Sequence, residues 1–330
     1  MELCFEGSEI LVRRLVIDAD PGIADALAIL IALAEPDVEV MALTACAGTV
    51  SGIQATRNLH QLIELSAPPR FPRVGQSDQG RADAGPGTGL TVSSSQLNGS
   101  HGLGDLEPMI PDLHNRREAS RLLVDLAREY PQEINLLTLG PLTNVALALD
   151  LDPELPMLLQ STVCLGGSLH CVGDVTASAE FNFWCDPAAA RMVLRSPAEK
   201  TLVPLEVSGQ HGLTFAEMER LNGQIPSTPR GEFITAMLQY FARVCRQHLP
   251  SEEVHLPAIT ALGVVLGWSE AESVDVIADV ETSGDLTAGA LILDRRRSRS
   301  PRPNLRMITE MEREPVIAGL FRGLQRAAIG

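Results

Sequence analysis

Three aspartates, Asp18, Asp20 and Asp25, lie within eight residues of one another around a Pro-Gly turn. Carboxylates this close repel one another, and each favours its protonated form unless a cation lies between them. Oxygen ligands without a nearby His or Cys are typical of a hard cation, Ca²⁺ or Mg²⁺. The alternative is structural, with the first two aspartates forming the turn and Asp25 stabilising the start of a helix. The grouping of all three favours a metal or catalytic site.

The elements around these aspartates predict where they lie. The apolar run at residues 15–17 is typical of a buried strand. Residues 24–34 are almost entirely apolar, which predicts a helix inside the protein. The carboxylates would then lie at the C-terminal end of a strand, which is where open α/β sheets bind ligands.

Strand and helix patterns alternate over most of the remaining chain. Strands are predicted at residues 38–44, 71–74, 134–139, 163–165, 201–205, 274–280, 289–293 and 304–308. Further helices are predicted at residues 51–65, 117–130, 186–194, 215–221, 231–248 and 257–266, near residue 141 and from about residue 315. Residues 76–105 are rich in Gly, Ser and Asp and lack periodicity, which predicts an inserted lid segment. We therefore predict one α/β domain over residues 1–330, with a mainly parallel central sheet flanked by helices.

The composition excludes several classes of partner. The 330 residues carry a net charge of −16, which gives no general attraction for nucleic acid or anionic lipid. Uninterrupted apolar segments are too short to cross a membrane, which needs about 18 residues. Six scattered cysteines without C-x-x-C spacing fit free thiols in a reducing compartment. We expect a cytoplasmic protein without nucleic-acid or membrane partners, assembled as a homo-oligomer (dimer or tetramer).

Further matched stretches give the chain a resemblance to a known family. Residues 18–26 are similar to D-x-D-P-G-x-D-D-A, the N-terminal signature of the inosine-uridine-preferring nucleoside hydrolases. Matches to the same family continue at residues 138–144, at 179–182 with 186–187, and at 280–287. Their order and spacing cover nearly the whole chain.

The resemblance implies calcium-dependent hydrolysis of the N-glycosidic bond of ribonucleosides. By position in the family motifs, Asp20 is the general base and a calcium ligand, and Asp25 is a second ligand. The main-chain carbonyl of Leu139 is a third ligand. His255 matches the histidine that protonates the leaving base in some members; the alternative is that it only marks the entry to a helix.

The resemblance also assigns the ribose contacts. Glu180 and Asn182 match residues that hydrogen-bond the sugar. Asp174 and Thr49 occupy two further substrate-binding positions, at which the family has asparagine.

The motifs depart from the family where two acidic residues are expected. Ala24 replaces the second aspartate of the signature, and Leu256 replaces a calcium ligand. Calcium prefers six to eight oxygen ligands, so these changes predict a weakened metal site. Waters or Asp174 would then complete it.

Two other functions are compatible with parts of the sequence. The replaced pocket residues are compatible with a non-catalytic member that binds nucleoside or ribose. A strand followed by D-x-D also opens the Mg²⁺ phosphohydrolases of the haloacid dehalogenase type, which need a phosphate-binding lysine. The only lysine of this chain is Lys200.

Overall fold

A computed structural model describes residues 12–77, 79–80, 93–106, 117–170, 172–249, 251–296 and 302–329. The strands of this part are β1 (Arg13–Ala19), β2 (Val38–Ala45), β3 (Arg73–Gln76), β4 (Ile134–Thr138), β5 (Leu159–Leu165), β6 (Lys200–Val203), β7 (Leu213–Thr214), β8 (Glu253–Val254), β9 (Ala271–Val276), β10 (Ala278–Val280), β11 (Leu291–Leu293) and β12 (Leu305–Met311). The α-helices are α1 (Ile23–Ala34), α2 (Gly52–Ser66), α3 (Ser94–Asn98), α4 (Ala119–Glu129), α5 (Thr143–Leu151), α6 (Leu155–Leu158), α7 (Phe181–Cys185), α8 (Pro187–Arg195), α9 (Leu205–Ser208), α10 (Phe215–Gln224), α11 (Pro229–His248), α12 (Pro257–Leu266) and α13 (Arg313–Ile329).

One eight-stranded sheet forms the centre, in the order β3-β2-β1-β4-β5-β6-β12-β9. All neighbouring pairs are parallel except β12 and β9, which are antiparallel at the edge. Two small antiparallel pairs, β10 with β11 and β7 with β8, lie outside it. The predicted α/β fold with a mainly parallel sheet is confirmed.

The central position of β1 follows from its sequence and its neighbours. Its apolar residues Leu15, Val16 and Ile17 are fully buried, because strands flank it on both sides and helices cover both faces. Helix α1 is buried along most of its length and packs against α2, α12 and α13. A buried helix without a polar face is what its apolar composition predicts.

One predicted strand, at residues 274–280, is wrong: it is two strands that belong to different sheets. β9 pairs with β12, whereas β10 pairs with β11. Between them, the Asn304 side chain accepts a hydrogen bond from Ala278 N at 2.9 Å and donates one to Ala278 O at 2.9 Å. A side-chain amide can thus replace a strand partner, and the continuous apolar pattern of the segment could not reveal it.

The sequence does not predict the shortest elements, because a few residues cannot display a helical or strand period. These elements are α3, α6, α7, α9, β7 and β8. Among the described residues, the thiols of Cys46, Cys164, Cys185 and Cys245 are buried and form no disulfide. Cys4, Cys171, residue 78 and residues 81–92 of the lid segment lie outside the described residues. In the described part, no helix is long and apolar enough to span a membrane.

Candidate active site

Asp18 lies at the end of β1, in register with Thr44 of β2 and Thr138 of β4. Its Oδ1 accepts hydrogen bonds from Thr44 Oγ1 at 2.5 Å and Asn144 Nδ2 at 2.7 Å. Asn144 Nδ2 also donates to Ala45 O at 3.0 Å. Burial raises the pKa of Asp18 to about 7. Oδ1 of this fully buried carboxylate therefore ties strand ends together, whereas its Oδ2 is buried without a hydrogen-bond partner.

Asp20 follows β1, and its carboxylate is enclosed on three sides. Its Oδ2 accepts a hydrogen bond from the backbone N–H of Thr49 at 2.5 Å. A Cβ added to Gly48 would lie 2.1 Å from Asp20 Oδ2, and one added to Gly140 would lie 2.3 Å from Oδ1. A side chain at either position would therefore displace the Asp20 carboxylate. Burial raises the pKa of Asp20 to about 7, although the hydrogen bonds from Thr49 oppose that shift.

Asp25 lies in the first turn of α1 and is 9% exposed. Burial raises the pKa of its carboxyl well above the usual range, and the negative charge of Asp20 raises it further. The two carboxylates therefore interact across the turn at residues 21–24. The structure thus brings these two predicted site residues together, and their role as metal ligands stays a prediction.

The donors at this turn fit a hard cation held by few anionic ligands. Asp20 and Asp25 supply two carboxylates. The carbonyl oxygen of Leu139 accepts a hydrogen bond from Asn182 Nδ2 at 2.7 Å, which leaves one lone pair for a metal. Leu256 is 4% exposed in the apolar core and supplies no ligand. Among the described residues, no group of three or more His, Cys, Asp or Glu side chains is arranged to hold a metal.

Glu180 and Asn182 lie at the start of α7 and are both buried. The Glu180 carboxylate accepts hydrogen bonds from the backbone N–H groups of Gly167 at 2.8 Å, Asn182 at 3.0 Å and Phe183 at 3.2 Å. Asn182 Nδ2 donates to Leu139 O at 2.7 Å and Leu165 O at 3.0 Å. Since both amide hydrogens are used, Asn182 has only its Oδ1 to offer a ligand, as an acceptor.

Asp174 lies close enough to Glu180 for their charges to interact. Burial raises the pKa of Glu180 to about 8, and the charge of Asp174 adds to the shift. Asp174 is accessible to solvent, yet the surrounding protein removes enough water from its carboxylate to raise its pKa to about 6. The two form a second acidic pair, separate from that of Asp20 and Asp25.

Thr49 and His255 are placed differently from each other. Thr49 hydrogen-bonds Asp20, so its observed contact is to the proposed base, and its ribose-binding role stays a prediction. His255 lies between β8 and α12, and its Nδ1 is buried without a hydrogen-bond partner. Among the described residues, no hydrogen bond joins His255 to Asp20 or Asp25. An unpaired buried nitrogen is costly, which fits an atom that pairs with a ligand.

Lys200 argues against the phosphohydrolase alternative. Its ammonium group donates to the carbonyls of Ser196 at 2.6 Å and Ala198 at 2.9 Å. The residue begins β6, and the start of a parallel strand lies at the opposite edge of the sheet from the end of β1. Lys200 therefore cannot contact a phosphate bound at Asp20.

Asn98 is a residue of this region whose contact was not predicted. Its Oδ1 accepts a hydrogen bond from Ile23 N at 2.9 Å, at the start of the helix that carries Asp25. The two residues are 75 positions apart, and no local pattern connects them.

A separate cavity of about 240 Å³, lined by Arg13, Trp268 and Arg322 among others, lies at the opposite end of the sheet and is not part of this site.

The chain is similar to known proteins over most of its length. A family model described as "Inosine-uridine preferring nucleoside hydrolase" matches residues 15–318. A Crithidia fasciculata protein of that name is 28% identical over 296 residues, which are 88% of this chain and 90% of that protein. The Arabidopsis thaliana protein "Uridine nucleosidase 1" is 36% identical over 210 residues, which are 63% of this chain and 61% of that protein. This second alignment covers less than two thirds of the plant protein.

A solved structure of a similar protein also has a similar fold. The purine-preferring ribonucleoside hydrolase from Gardnerella vaginalis superimposes with a TM-score of 0.83 at 26% sequence identity. The superposition covers 96% of this chain and 100% of that one. The fold is therefore shared over nearly the whole chain.

Proposed function

The chain belongs to the inosine-uridine preferring nucleoside hydrolase family, whose members cleave N-glycosidic bonds of nucleosides, and we propose that it is a calcium-dependent ribonucleoside hydrolase with a weakened metal site. The observation that carries this proposal is the interacting pair of buried carboxylates, Asp20 and Asp25, at the C-terminal end of β1. Its products would be ribose and the free base.

Asp20 is the proposed general base. When bound, calcium would lower the pKa of a water ligand and hold the ribose hydroxyls. Asp20, Asp25 and the Leu139 carbonyl would hold the ion. Asp20 takes one proton from the attacking water. The oxygen of this water forms a bond to C1′ as the bond from C1′ to the base nitrogen breaks. Thr49 and the two flanking glycines keep the Asp20 carboxylate in one orientation.

The sugar would be bound by the second group of polar residues. Asn182 Oδ1 accepts a hydrogen bond from a ribose hydroxyl, because its amide hydrogens are already used. The positive charge that develops on the sugar in an oxocarbenium-like transition state favours the ionised form of Glu180, and this carboxylate stabilises that charge. Asp174 adds a second acceptor nearby.

His255 is the proposed acid for the leaving base. The base departs with the electron pair of the broken bond, so a proton supplied to its nitrogen lowers the barrier. The unpaired Nδ1 of His255 supports this assignment. The same assignment balances the protons, since one enters Asp20 and one leaves His255.

The proposal is tested by the Asp20→Asn variant in an assay of reducing sugar released from purine and pyrimidine nucleosides with calcium. Loss of a general base typically lowers the rate by ~10²–10⁴-fold. Asp150→Asn is the matched control, because Asp150 is an exposed aspartate on α5. An Asp20→Asn protein as active as the control would refute the role of Asp20.

The replaced positions Ala24 and Leu256 favour a second candidate, a member that binds nucleoside or ribose without cleaving it. Wild-type protein inactive on the whole panel, and still inactive as the Ala24→Asp, Leu256→Asp double variant, would support this candidate. Activity restored in the double variant would instead show that the two replacements weakened an enzyme. The homo-oligomer and the cytoplasmic location stay predictions, the first of which a solution mass measurement tests.

A further inference from the structure

Asn98 caps helix α1 from a distant part of the chain. Its side chain is buried, with Oδ1 accepting from Ile23 N at 2.9 Å and Nδ2 donating to Ser94 O at 3.2 Å. The residue at the N-cap position of α1 is Gly22, which has no side chain with which to cap. The first turn of the helix that carries Asp25 therefore depends on Asn98 for its side-chain cap.

The loop after Asn98 packs closely on the same turn. A Cβ on Gly22 would lie 2.7 Å from Asn98 Oδ1, so this approach requires glycine. Asn58 Nδ2 donates to Pro21 O at 3.0 Å and to His101 O at 2.8 Å, which joins the loop to the turn. The described end of the lid segment is thus fixed to the residues between Asp20 and Asp25.

Helix α11 holds the other side of this loop. The Tyr240 hydroxyl donates to Gln96 O at 3.1 Å, and Arg243 pairs with Asp105 at 2.7 Å. A Cβ on Gly104 would lie 3.0 Å from the Tyr240 ring, so the two also touch. The segment around Asn98 therefore contacts α11 on one side and the turn before α1 on the other.

We propose that Asn98 is a positioning residue that fixes Asp25 relative to Asp20. The position of Asp20 is set by Thr49 and two glycines, none of which belongs to α1. The position of Asp25 depends on an ordered first turn of α1, because this residue lies two positions after the capped amide of Ile23. An unravelled first turn would move one carboxylate and not the other. This inference rests on the proposed function, in which both residues hold calcium.

The test compares Asn98→Ala with Asn98→Asp, which retains an oxygen that accepts from Ile23 N. In Asn98→Ala we expect faster hydrogen exchange at the Ile23 amide. We also expect lower calcium affinity and a kcat/KM reduced by about 10–100-fold, the cost of a misplaced catalytic group. Asn98→Asp should keep the exchange of Ile23 slow.

Thr228→Ala is the matched control, because it removes the side-chain cap of α11, in which Gly231 N donates to Thr228 Oγ1 at 3.0 Å. It should lower the melting temperature comparably and leave calcium affinity and kcat/KM unchanged. Unchanged exchange of Ile23 in Asn98→Ala would overturn the inference. The inference would also be overturned if Asn98→Ala lost no more calcium affinity and kcat/KM than the control Thr228→Ala. If wild-type protein neither binds calcium nor cleaves nucleosides, the proposed function fails, whereas the exchange of Ile23 still decides whether Asn98 caps α1.

Discussion

At the scale of single residues, the site is defined by two carboxylates and by what is missing beside them. Asp20 and Asp25 interact at the turn after β1. Leu256, at the position where the family has an acidic ligand, is buried among apolar side chains. The hydroxyl and backbone of Thr49 hold Asp20. The proposed cation site therefore has fewer charges than the family motif supplies.

Leu256→Asp tests whether position 256 faces the metal. Without calcium, the buried carboxylate should destabilise the protein, by at least about 1–3 kcal/mol for an unpaired polar group. With calcium, its unfolding midpoint should rise by more than that of wild type, because a ligand that binds the folded state more tightly stabilises it more, with the logarithm of its affinity. Thermal unfolding with and without calcium measures both effects.

Leu256→Asn is the control for this experiment, because the asparagine side chain has the same shape as that of aspartate and carries no charge. It should be destabilised without calcium and gain no more from calcium than wild type. If the aspartate variant also gains no more than wild type, position 256 does not contribute to a calcium site.

At the scale of elements, one side chain joins segments that belong to different sheets. Asn304 precedes β12, and its amide bonds both Ala278 N and Ala278 O at the start of β10. It also donates to Leu194 O at 3.0 Å, at the end of α8. The small sheet of β10 and β11 is attached to the main sheet through these contacts.

Asn304→Ala should therefore destabilise the protein by about 2–3 kcal/mol, because it leaves partly buried backbone groups without partners. Urea unfolding measures the change. Asn222→Ala is the control, because the buried Asn222 Oδ1 has no hydrogen-bond partner. Equal midpoints for the two variants would show that Asn304 does not hold β10 in place.

At the scale of the whole molecule, a buried histidine links three separate segments. His211 follows α9, and its ring nitrogens bond Thr260 Oγ1 of α12 at 3.0 Å and Met311 O of β12 at 3.2 Å. A neutral ring satisfies both, donating to the carbonyl and accepting from the hydroxyl. Burial lowers the pKa of His211, and the positive charge of Arg313 contributes to that shift.

This lowered pKa predicts that stability falls in acid. At a pH between the folded and the unfolded pKa of His211, the unfolded state binds more protons than the folded state. The free energy of unfolding therefore declines as the pH falls below the unfolded pKa of about 6.5. The free energy of unfolding from pH 8 to pH 5 should decrease less in His211→Gln than in wild type. His248→Gln, at an exposed position of α11, should match wild type. Identical slopes for all three proteins would contradict this role.

The sequence alone determined the fold class and the location of the candidate site. A buried strand, an acidic turn and an apolar helix form one local unit, and its periodicity and turn residues are visible without any distant partner. The carboxylates Asp20 and Asp25 were predicted for the same reason. Their positions follow from covalent connection to β1 and α1, and the structure places them at the predicted end of the sheet.

The tertiary structure decided what depends on residues far apart in the chain. The cap on α1 comes from Asn98, and the split of residues 274–280 into two sheets depends on Asn304. Asn182 uses both amide hydrogens on carbonyls of β5 and of the turn after β4, which limits what it can offer a ligand. A single amide side chain has no periodicity, so its partner is fixed only when the folded chain brings the two together.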